Sequence, residues 1–125
     1  MSADITIDVS EALRKLDPKE MDKALETGLR GAADLIRADI KTYPPAPAGS
    51  SYIRTGTLGR SWASKVQRRE AIIGNVTTYA PYVQGADTQA WMHRGRWRTT
   101  AQVAASRAGD VRKLLEAAIS RWARR

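Results

Sequence analysis

The segment 91–98 holds the residue types of this chain that are best suited to binding or to chemistry. It reads Trp-Met-His-Arg-Gly-Arg-Trp-Arg and includes the only histidine, His93. In an extended segment Arg94, Arg96 and Arg98 project to one side, because side chains alternate along a strand. Guanidinium groups match phosphates, and tryptophan rings stack on bases. Two interpretations stay open for these arginines: they face DNA, or they cover the rim of a packed surface.

Catalytic machinery is not visible in the sequence. His93 has no evident partner that would orient it as a general base. The chain has no cysteine, and no serine lies in a Gly-x-Ser-x-Gly context. Gly56-Thr57-Leu58-Gly59 resembles part of a phosphate loop but lacks its Lys-Ser/Thr. We therefore predict no enzymatic activity, no cofactor and no metal site, since a zinc site would need more cysteine or histidine ligands.

Length and composition predict one small domain that depends on its large aromatic residues. The 125 residues have the size of a single domain, residues 1–125, and supply four Trp and four Tyr but no Phe. We therefore interpret Trp91 and Trp97 as anchors of the core or of an interface. No apolar run approaches the roughly 20 residues that span a bilayer. The N-terminus lacks a signal-peptide pattern, so we expect synthesis in a cytoplasm and no membrane partner.

Positive charge is concentrated in the second half of the chain. The net charge is +8, and residues 1–60 contribute none of it because they hold nine basic and nine acidic residues. Residues 61–125 hold twelve basic and four acidic residues. This asymmetry predicts a positive face for nucleic acid or an acidic protein surface, or it reflects a general bias toward solubility.

The clearest secondary-structure signal is a long amphipathic helix in the first half of the chain. Residues 17–20, Asp-Pro-Lys-Glu, have the pattern of a helix start, and apolar residues then recur every three or four residues to Ile40. The acidic residues are predicted to fall mostly on the solvent face of this helix. Gly28 and Gly31 either weaken the helix or permit close approach to the sheet. Pro44 and Pro45 end it, and residues 43–51 are predicted to form a proline-rich mobile loop.

Shorter signals flank this helix on both sides. Alternation at Ile5, Ile7 and Val9 predicts an N-terminal strand, followed by a single helical turn over residues 11–16. At the other end, a cap at Thr99 or Thr100 begins a C-terminal helix. Gly109-Asp110 is a candidate break within this helix.

An antiparallel hairpin is predicted between the two helices. Residues 62–69 form a polar strand with Trp62 and Val66 on one side, and residues 69–71 form the turn. The β-branched run 72–79 is the more buried partner, and residues 79–83 continue as an edge segment. The predicted fold class is α+β, a small antiparallel or mixed sheet packed by the long N-terminal amphipathic helix and the C-terminal helix.

Two stretches of this hairpin region resemble a known family. Residues 54–62, Arg-Thr-Gly-Thr-Leu-Gly-Arg-Ser-Trp, resemble one signature of the small tail-completion or neck-type proteins of long-tailed bacteriophages. Residues 73–85, Ile-Gly-Asn-Val-Thr-Thr-Tyr-Ala-Pro-Tyr-Val-Gln-Gly, are similar to that family's second signature. The flanking strand, helices and proline-bearing loop agree as well. The segment 91–98 departs from the family pattern, which leaves open which surface the protein presents to its neighbours.

The resemblance implies a structural protein of the virion rather than a catalyst. Its place is the head–tail junction, where such proteins join or complete the tail, commonly as a six-fold ring around the DNA channel. The implied partners are further copies of the chain, the neighbouring head-completion or connector proteins, the tail-tube proteins and passing double-stranded DNA. The implied location is the neck of the virion, with the host cytoplasm as the place of assembly. The residues expected at the assembly interface are Arg54, Thr55, Leu58, Trp62, Tyr79, Tyr82, Trp91 and Trp97.

The alternative function is a free basic nucleic-acid-binding protein. In that case Arg94, Arg96 and Arg98 face DNA, and binding weakens as salt rises. No helix-turn-helix or other reader module is visible, which argues against sequence-specific recognition.

Overall fold

A computed structural model describes residues 3–9, 19–45 and 56–123 of the chain. The predicted helix start at residues 17–18, the helical turn over residues 11–16 and most of the proline-rich loop lie outside these residues. The described part has the predicted α+β fold, with a small antiparallel sheet and helices at both ends. None of its helices is long and apolar enough to cross a membrane.

The sheet has three antiparallel strands. The central one corresponds to the run 72–79, which was predicted to be the more buried strand of the hairpin. The strands are β1 (Ala3–Asp8), β2 (Trp62–Gln67) and β3 (Glu70–Asn75), in the order β1-β3-β2. The register places Ala3, Asn75 and Trp62 in one row across the sheet. This row and its alternate neighbours point to the core.

The opposite face of the sheet is polar and open. Rows such as Thr6, Ile72 and Lys65 cross it, and Ala63 and Gln67 are exposed along β2. This arrangement confirms that β2 is buried on one face only. The one-sided burial follows from the alternation of polar and apolar residues in the two edge strands.

The hairpin is shorter than predicted and turns one residue earlier. Arg68 and Arg69 form the turn, and Arg69 adopts a left-handed backbone with φ of 60°. β3 ends at Asn75, so the prediction of a strand to residue 79 was wrong. The prediction of an edge segment over residues 79–83 was also wrong, because this stretch forms the short helix Ala80–Gln84, with Pro81 in its first turn.

The long amphipathic helix is α1 (Lys19–Ile40). It contacts β2 and β3 of the sheet and also the C-terminal helix. Its apolar stripe supplies much of the core, including Leu25, Leu29 and Ile36, which are fully buried. α1 therefore packs against the sheet on one side and against the C-terminal helix on another, which explains why its apolar stripe is wide.

Two further helices lie between β3 and the C-terminus, and one short helix precedes β2. They are α2 (Thr57–Arg60), α3 (Ala80–Gln84) and α4 (Thr100–Ala123), with a single 3₁₀ turn at Trp91–His93. Thr99 caps α4: the Gln102 amide donates to its hydroxyl at 3.2 Å, and its own amide donates to the Gln102 side chain at 2.9 Å. α4 runs unbroken through Gly109-Asp110, so the predicted break was wrong.

Gly28 permits the close approach of α4 to α1, not of the sheet as predicted. A methyl group built at Gly28 would lie 3.1 Å from the Ala118 Cβ and 3.3 Å from a Leu115 methyl. At Gly31 the nearest atoms are the two Leu114 methyl groups at 3.9 Å, an ordinary contact distance. α1 and α4 therefore come closest at Gly28, where the absence of a side chain leaves room for Ala118 and Leu115.

These two glycines should respond oppositely to substitution. Gly28→Val should lower the free energy of unfolding by about 1–3 kcal/mol, because it overpacks the helix crossing. Gly31→Ala should raise it by roughly 0.5–1 kcal/mol, because the helix gains propensity and the methyl group has room. Urea unfolding followed by circular dichroism measures both. Equal effects of the two substitutions would contradict the position of the crossing.

Candidate assembly surface

A buried asparagine joins the two signature segments. Asn75 ends β3 and is 1% exposed. Its side-chain nitrogen donates to the Leu58 carbonyl at 2.8 Å, and its oxygen accepts from the Thr77 amide at 3.1 Å and the Thr77 hydroxyl at 2.7 Å. The polar end of this side chain is thereby satisfied inside the core, as a buried amide must be. Asn75 fixes α2 beside the chain that leaves the sheet.

Two glutamine side chains organise the segment from α3 to α4. The Gln84 amide is buried and donates to the Arg98 carbonyl at 3.0 Å and to the Ile40 carbonyl at 3.4 Å. The Gln89 amide donates to the Val83 and Trp97 carbonyls, both at 2.8 Å. In the residues between α3 and α4, which form no strand and no α-helix, these side-chain amides supply donors to backbone carbonyl groups. Sequence reasoning missed both roles, because residues 84–90 carried no signal beyond that of a polar loop.

The large exposed apolar side chains of the described residues all lie between the end of β3 and the 3₁₀ turn. The Ala90 amide donates to the Tyr82 carbonyl at 2.7 Å, which holds Trp91 close to α3. We name the set of these side chains the aromatic surface. Its members and their exposed fractions are Val76 at 89%, Tyr79 at 42%, Tyr82 at 53%, Trp91 at 77% and Met92 at 54%.

The predicted interface residues fall into three groups. Tyr79, Tyr82 and Trp91 are exposed on the aromatic surface. Leu58 and Trp62 are each 5% exposed and belong to the core, so their placement on an accessible surface is corrected. They were misassigned because both lie in the signature segments, where packing residues and surface residues are interleaved. Arg54 and Thr55 lie outside the described residues.

Trp97 is a packing residue at the base of the segment 91–98. Its ring meets the Tyr43 ring edge to face, with centroids 5.1 Å apart. It is partly buried against the core. This position confirms its interpretation as a packing anchor, whereas the exposed Trp91 belongs to the aromatic surface.

The three arginines of the segment 91–98 do not line one side of an extended strand. The 3₁₀ turn and Gly95, with φ of 76°, fold the segment into consecutive turns. Arg98 is exposed, but it pairs with Asp39 of α1 at 2.7 Å. Arg94 and Arg96 are exposed. Only these two arginines remain candidates for contact with a polyanion.

Asp39 is one of two aspartates of α1 that form ion pairs with arginines from distant parts of the chain. It accepts hydrogen bonds from both Arg98 nitrogens, at 2.7 and 3.1 Å, and from Arg107 of α4 at 2.9 Å. The Arg98 guanidinium chiefly holds the pKa of Asp39 below its usual value; burial opposes this shift, and Arg107 strengthens it. Arg107, which interrupts the apolar stripe of α4, also has its pKa raised by Asp39 and by Asp110.

Asp22 plays the corresponding part near the other end of α1. It accepts from Arg69 at 2.7 Å and from Arg68 at 2.9 Å, the two residues of the hairpin turn. Arg69 chiefly lowers the pKa of Asp22, burial acts against it, and Arg68 lowers it further. Asp22 and Asp39 are exceptions to the expectation that the acidic residues of α1 fall mostly on its solvent face, since each pairs with two distant arginines.

The Asp39 cluster should stabilise the fold in a pH-dependent way. Because its folded-state pKa is lowered, its contribution is complete above the unfolded-state pKa of about 4 and is lost as the pH falls through the folded-state value. Asp39→Asn should lower the free energy of unfolding by about 1–3 kcal/mol at pH 7. Urea unfolding at pH 7 and pH 3 measures the difference, which should shrink at pH 3.

The matched control for this prediction is Glu116→Gln, which removes one acidic charge from an exposed pair with Arg112 on α4. Exposed ion pairs contribute little, so this variant should unfold like the wild type at both pH values. An Asp39→Asn variant as stable as the wild type at pH 7, or equally destabilised at pH 3, would refute the role assigned to Asp39.

His93 is half-buried and has no acid–base partner among the residues that the structure describes. Burial chiefly lowers its pKa, and the nearby charge of Arg96 lowers it further, so both favour the neutral ring. Its Nδ1 atom is buried without a hydrogen-bond partner, and its ring lies edge to face with Trp97. Among the described residues no group of three His, Cys, Asp or Glu side chains could hold a metal ion. His93 is therefore a packing residue within the segment 91–98, where its ring lies against Trp97.

Comparison with known proteins yields no family model, no curated protein and no solved structure that matches this chain. The function must therefore be argued from the exposure, charge and chemistry of the described residues, together with the resemblance of the two signature segments.

Proposed function

We propose that this protein is a structural component of the bacteriophage head–tail junction, a neck or tail-completion protein. It acts by assembling with further copies of itself into a ring, hexameric by analogy with the family it resembles, around the DNA channel. Its neighbours are a head-completion or connector protein on one side and the tail-tube proteins on the other. It resides in the virion and is built into particles in the host cytoplasm.

The aromatic surface is the observation that carries this proposal. Large apolar side chains that cluster on the outside of a small domain mark interaction sites, because exposing them to water is unfavourable. Tyrosine, tryptophan and methionine are also the residue types enriched at protein interfaces. Trp91 and Tyr82 are therefore the expected anchors of a subunit contact.

The open face of the sheet supports the same proposal from a second direction. Among the described residues, the polar row from Thr6 to Lys65 is covered by no further layer, and β2 is paired on one edge only. A free strand edge and an open polar face suit contact with a neighbouring copy in a ring. The resemblance of the two signature segments, which include Trp62 of β2 and residues 73–75 of β3, is the reason for proposing that this ring lies at the phage neck.

The proposal predicts that removal of the aromatic surface blocks particle assembly. The double variant Tyr82→Ser/Trp91→Ser should fold, because both side chains are exposed, but should lose an interface anchor. In the phage that carries this gene, with the gene deleted and supplied in trans, the variant should yield roughly tenfold or more fewer infectious particles than the wild type. Electron microscopy should show unjoined heads and tails.

Arg121→Ser, a change to an exposed residue of α4, is the control and should restore full titre. Urea unfolding of the purified variants checks that both fold. Full infectivity of the deleted phage without complementation, or purified virions that lack the protein, would overturn the proposal. A monomer in solution would not, since such rings can form on the tail.

A second candidate function is free binding to nucleic acid, and the exposure of Arg94 and Arg96 is the observation that favours it. Neither makes an ion pair with a described residue, so both are free to meet phosphates. Binding to duplex DNA should weaken with salt, and Arg94→Ala/Arg96→Ala should reduce the slope of log K against log salt by about 2. Fluorescence anisotropy with labelled duplex DNA measures this slope.

Lys113→Ala/Arg121→Ala removes the same charge from exposed positions of α4 and serves as the control. An unchanged slope for the Arg94/Arg96 variant, or an equal reduction for both variants, would rule out a specific contact through the segment 91–98.

A further inference from the structure

Trp91 is 77% exposed, yet the backbone on both sides of it is held in place. Before it, the Ala90 amide donates to the Tyr82 carbonyl at 2.7 Å, and after it the Arg94 amide donates to the Trp91 carbonyl at 3.2 Å. The two carbonyl bonds of the Gln89 amide, both at 2.8 Å, brace the same stretch. An exposed ring on a fixed backbone can bind a ligand at little cost in conformational entropy.

The two tryptophans of the segment 91–98 have different surroundings. The Trp97 ring lies edge to face with the rings of Tyr43 and His93. Among the described residues, no other aromatic ring lies against Trp91. Tyr82, which is 53% exposed, is the aromatic residue tied by its carbonyl to the start of the same turn. The segment therefore uses one tryptophan for packing and presents the other to solvent.

Two cations follow Trp91 closely in the chain and remain available. Arg94 and Arg96 are exposed, and neither forms an ion pair with a residue that the structure describes. The third arginine of the segment, Arg98, is bonded to Asp39. The turn that carries Trp91 is closed by the Arg94 amide itself, so one available guanidinium belongs to the residue that closes this turn.

The residues around Trp91 favour an anionic ligand that also has a flat face. Asp87 is the only acidic residue between residues 71 and 109. Guanidinium groups bind phosphates, and aromatic rings stack on bases, so a nucleotide matches both kinds of group. A duplex presents its phosphates but encloses the faces of its bases in its own stack. Only an unpaired base can offer a face to Trp91.

We propose that the segment 91–98 binds single-stranded nucleic acid, with Trp91 stacked on a base and with Arg94 and Arg96 in contact with phosphates. This binding mode rests on the second candidate function, binding to nucleic acid, and specifies its ligand. Every base has a face that can stack, so the binding tolerates any sequence. Trp91 is also an anchor of the proposed subunit contact, so a bound strand and a neighbouring subunit exclude each other at this residue.

Fluorescence anisotropy at fixed ionic strength tests this proposal with three labelled probes: an oligothymidine of about 12 nucleotides, an abasic strand of the same length and charge, and a duplex of the same length. The oligothymidine should bind about fivefold or more tighter than the abasic strand, because only the former supplies bases for stacking. The duplex measures the phosphate contacts without access to a base face.

Trp91→Leu keeps an apolar side chain but removes the ring. This variant should bind the oligothymidine about fivefold or more weakly and should bind the abasic strand and the duplex like the wild type. Met92→Leu, at the neighbouring exposed residue of the aromatic surface, is the matched control and should bind all three probes like the wild type. Both side chains are exposed, so urea unfolding should be unchanged in both variants.

Equal binding of the oligothymidine and the abasic strand to the wild-type chain would overturn the proposal, because bases would then add nothing. Equal losses in the Trp91→Leu and Met92→Leu variants would also overturn it, because any apolar side chain would then serve as well as the ring.

The second candidate function has a separate outcome. Duplex binding that depends on Arg94 and Arg96 would keep that function even if bases added no affinity, whereas the absence of binding to all three probes would overturn both. Ring assembly is judged independently, by the Tyr82→Ser/Trp91→Ser variant in the phage.

Discussion

The pairing of Asp22 and Asp39 with four arginines is the interaction on which the arrangement of the chain depends. The two aspartates lie near opposite ends of α1, and each accepts from two guanidinium groups. Asp22 holds the hairpin turn, and Asp39 holds both α4 and the end of the segment 91–98. Hydrophobic packing brings α1 against the sheet and against α4, but it is not directional. The charge-assisted hydrogen bonds of Asp22 and Asp39 are directional, so they fix where the hairpin and the segment 91–98 lie along α1.

These pairs also change the meaning of the charge asymmetry. The basic second half of the chain supplies all four of the arginines, and the neutral first half supplies both aspartates. Part of the positive charge is therefore structural and is unavailable to DNA or to an acidic partner. The surface that remains positive is smaller than the sequence total suggests, and it includes Arg94 and Arg96.

The sequence was informative wherever a local period or cap determined the structure. Apolar spacing predicted α1, alternation predicted β1, and Thr99 with Gln102 formed the expected cap of α4. The same reasoning failed at residues 79–98, because Gln84 and Gln89 shape that stretch through bonds to distant carbonyls. It also failed for Asp22 and Asp39, whose partners are 46 to 68 residues away in the chain. No periodicity encodes such a partner. Exposure of Tyr82 and Trp91, and burial of Leu58 and Trp62, likewise depend on the packed structure.

The pairing of β1 with β3 also dictates the order in which the domain can form during synthesis. Ala3 lies opposite Asn75, so β1 leaves the ribosome well before β3, the strand with which it pairs. α1 emerges in the interval without the sheet and without α4, its two apolar neighbours. Pairing between strands so far apart in the chain slows folding, and apolar surface stays exposed until the partner strand has been synthesised. The nascent chain is thus open to aggregation or to chaperone binding until β3 and α4 have emerged, and β1 joins the sheet only once β3 is available.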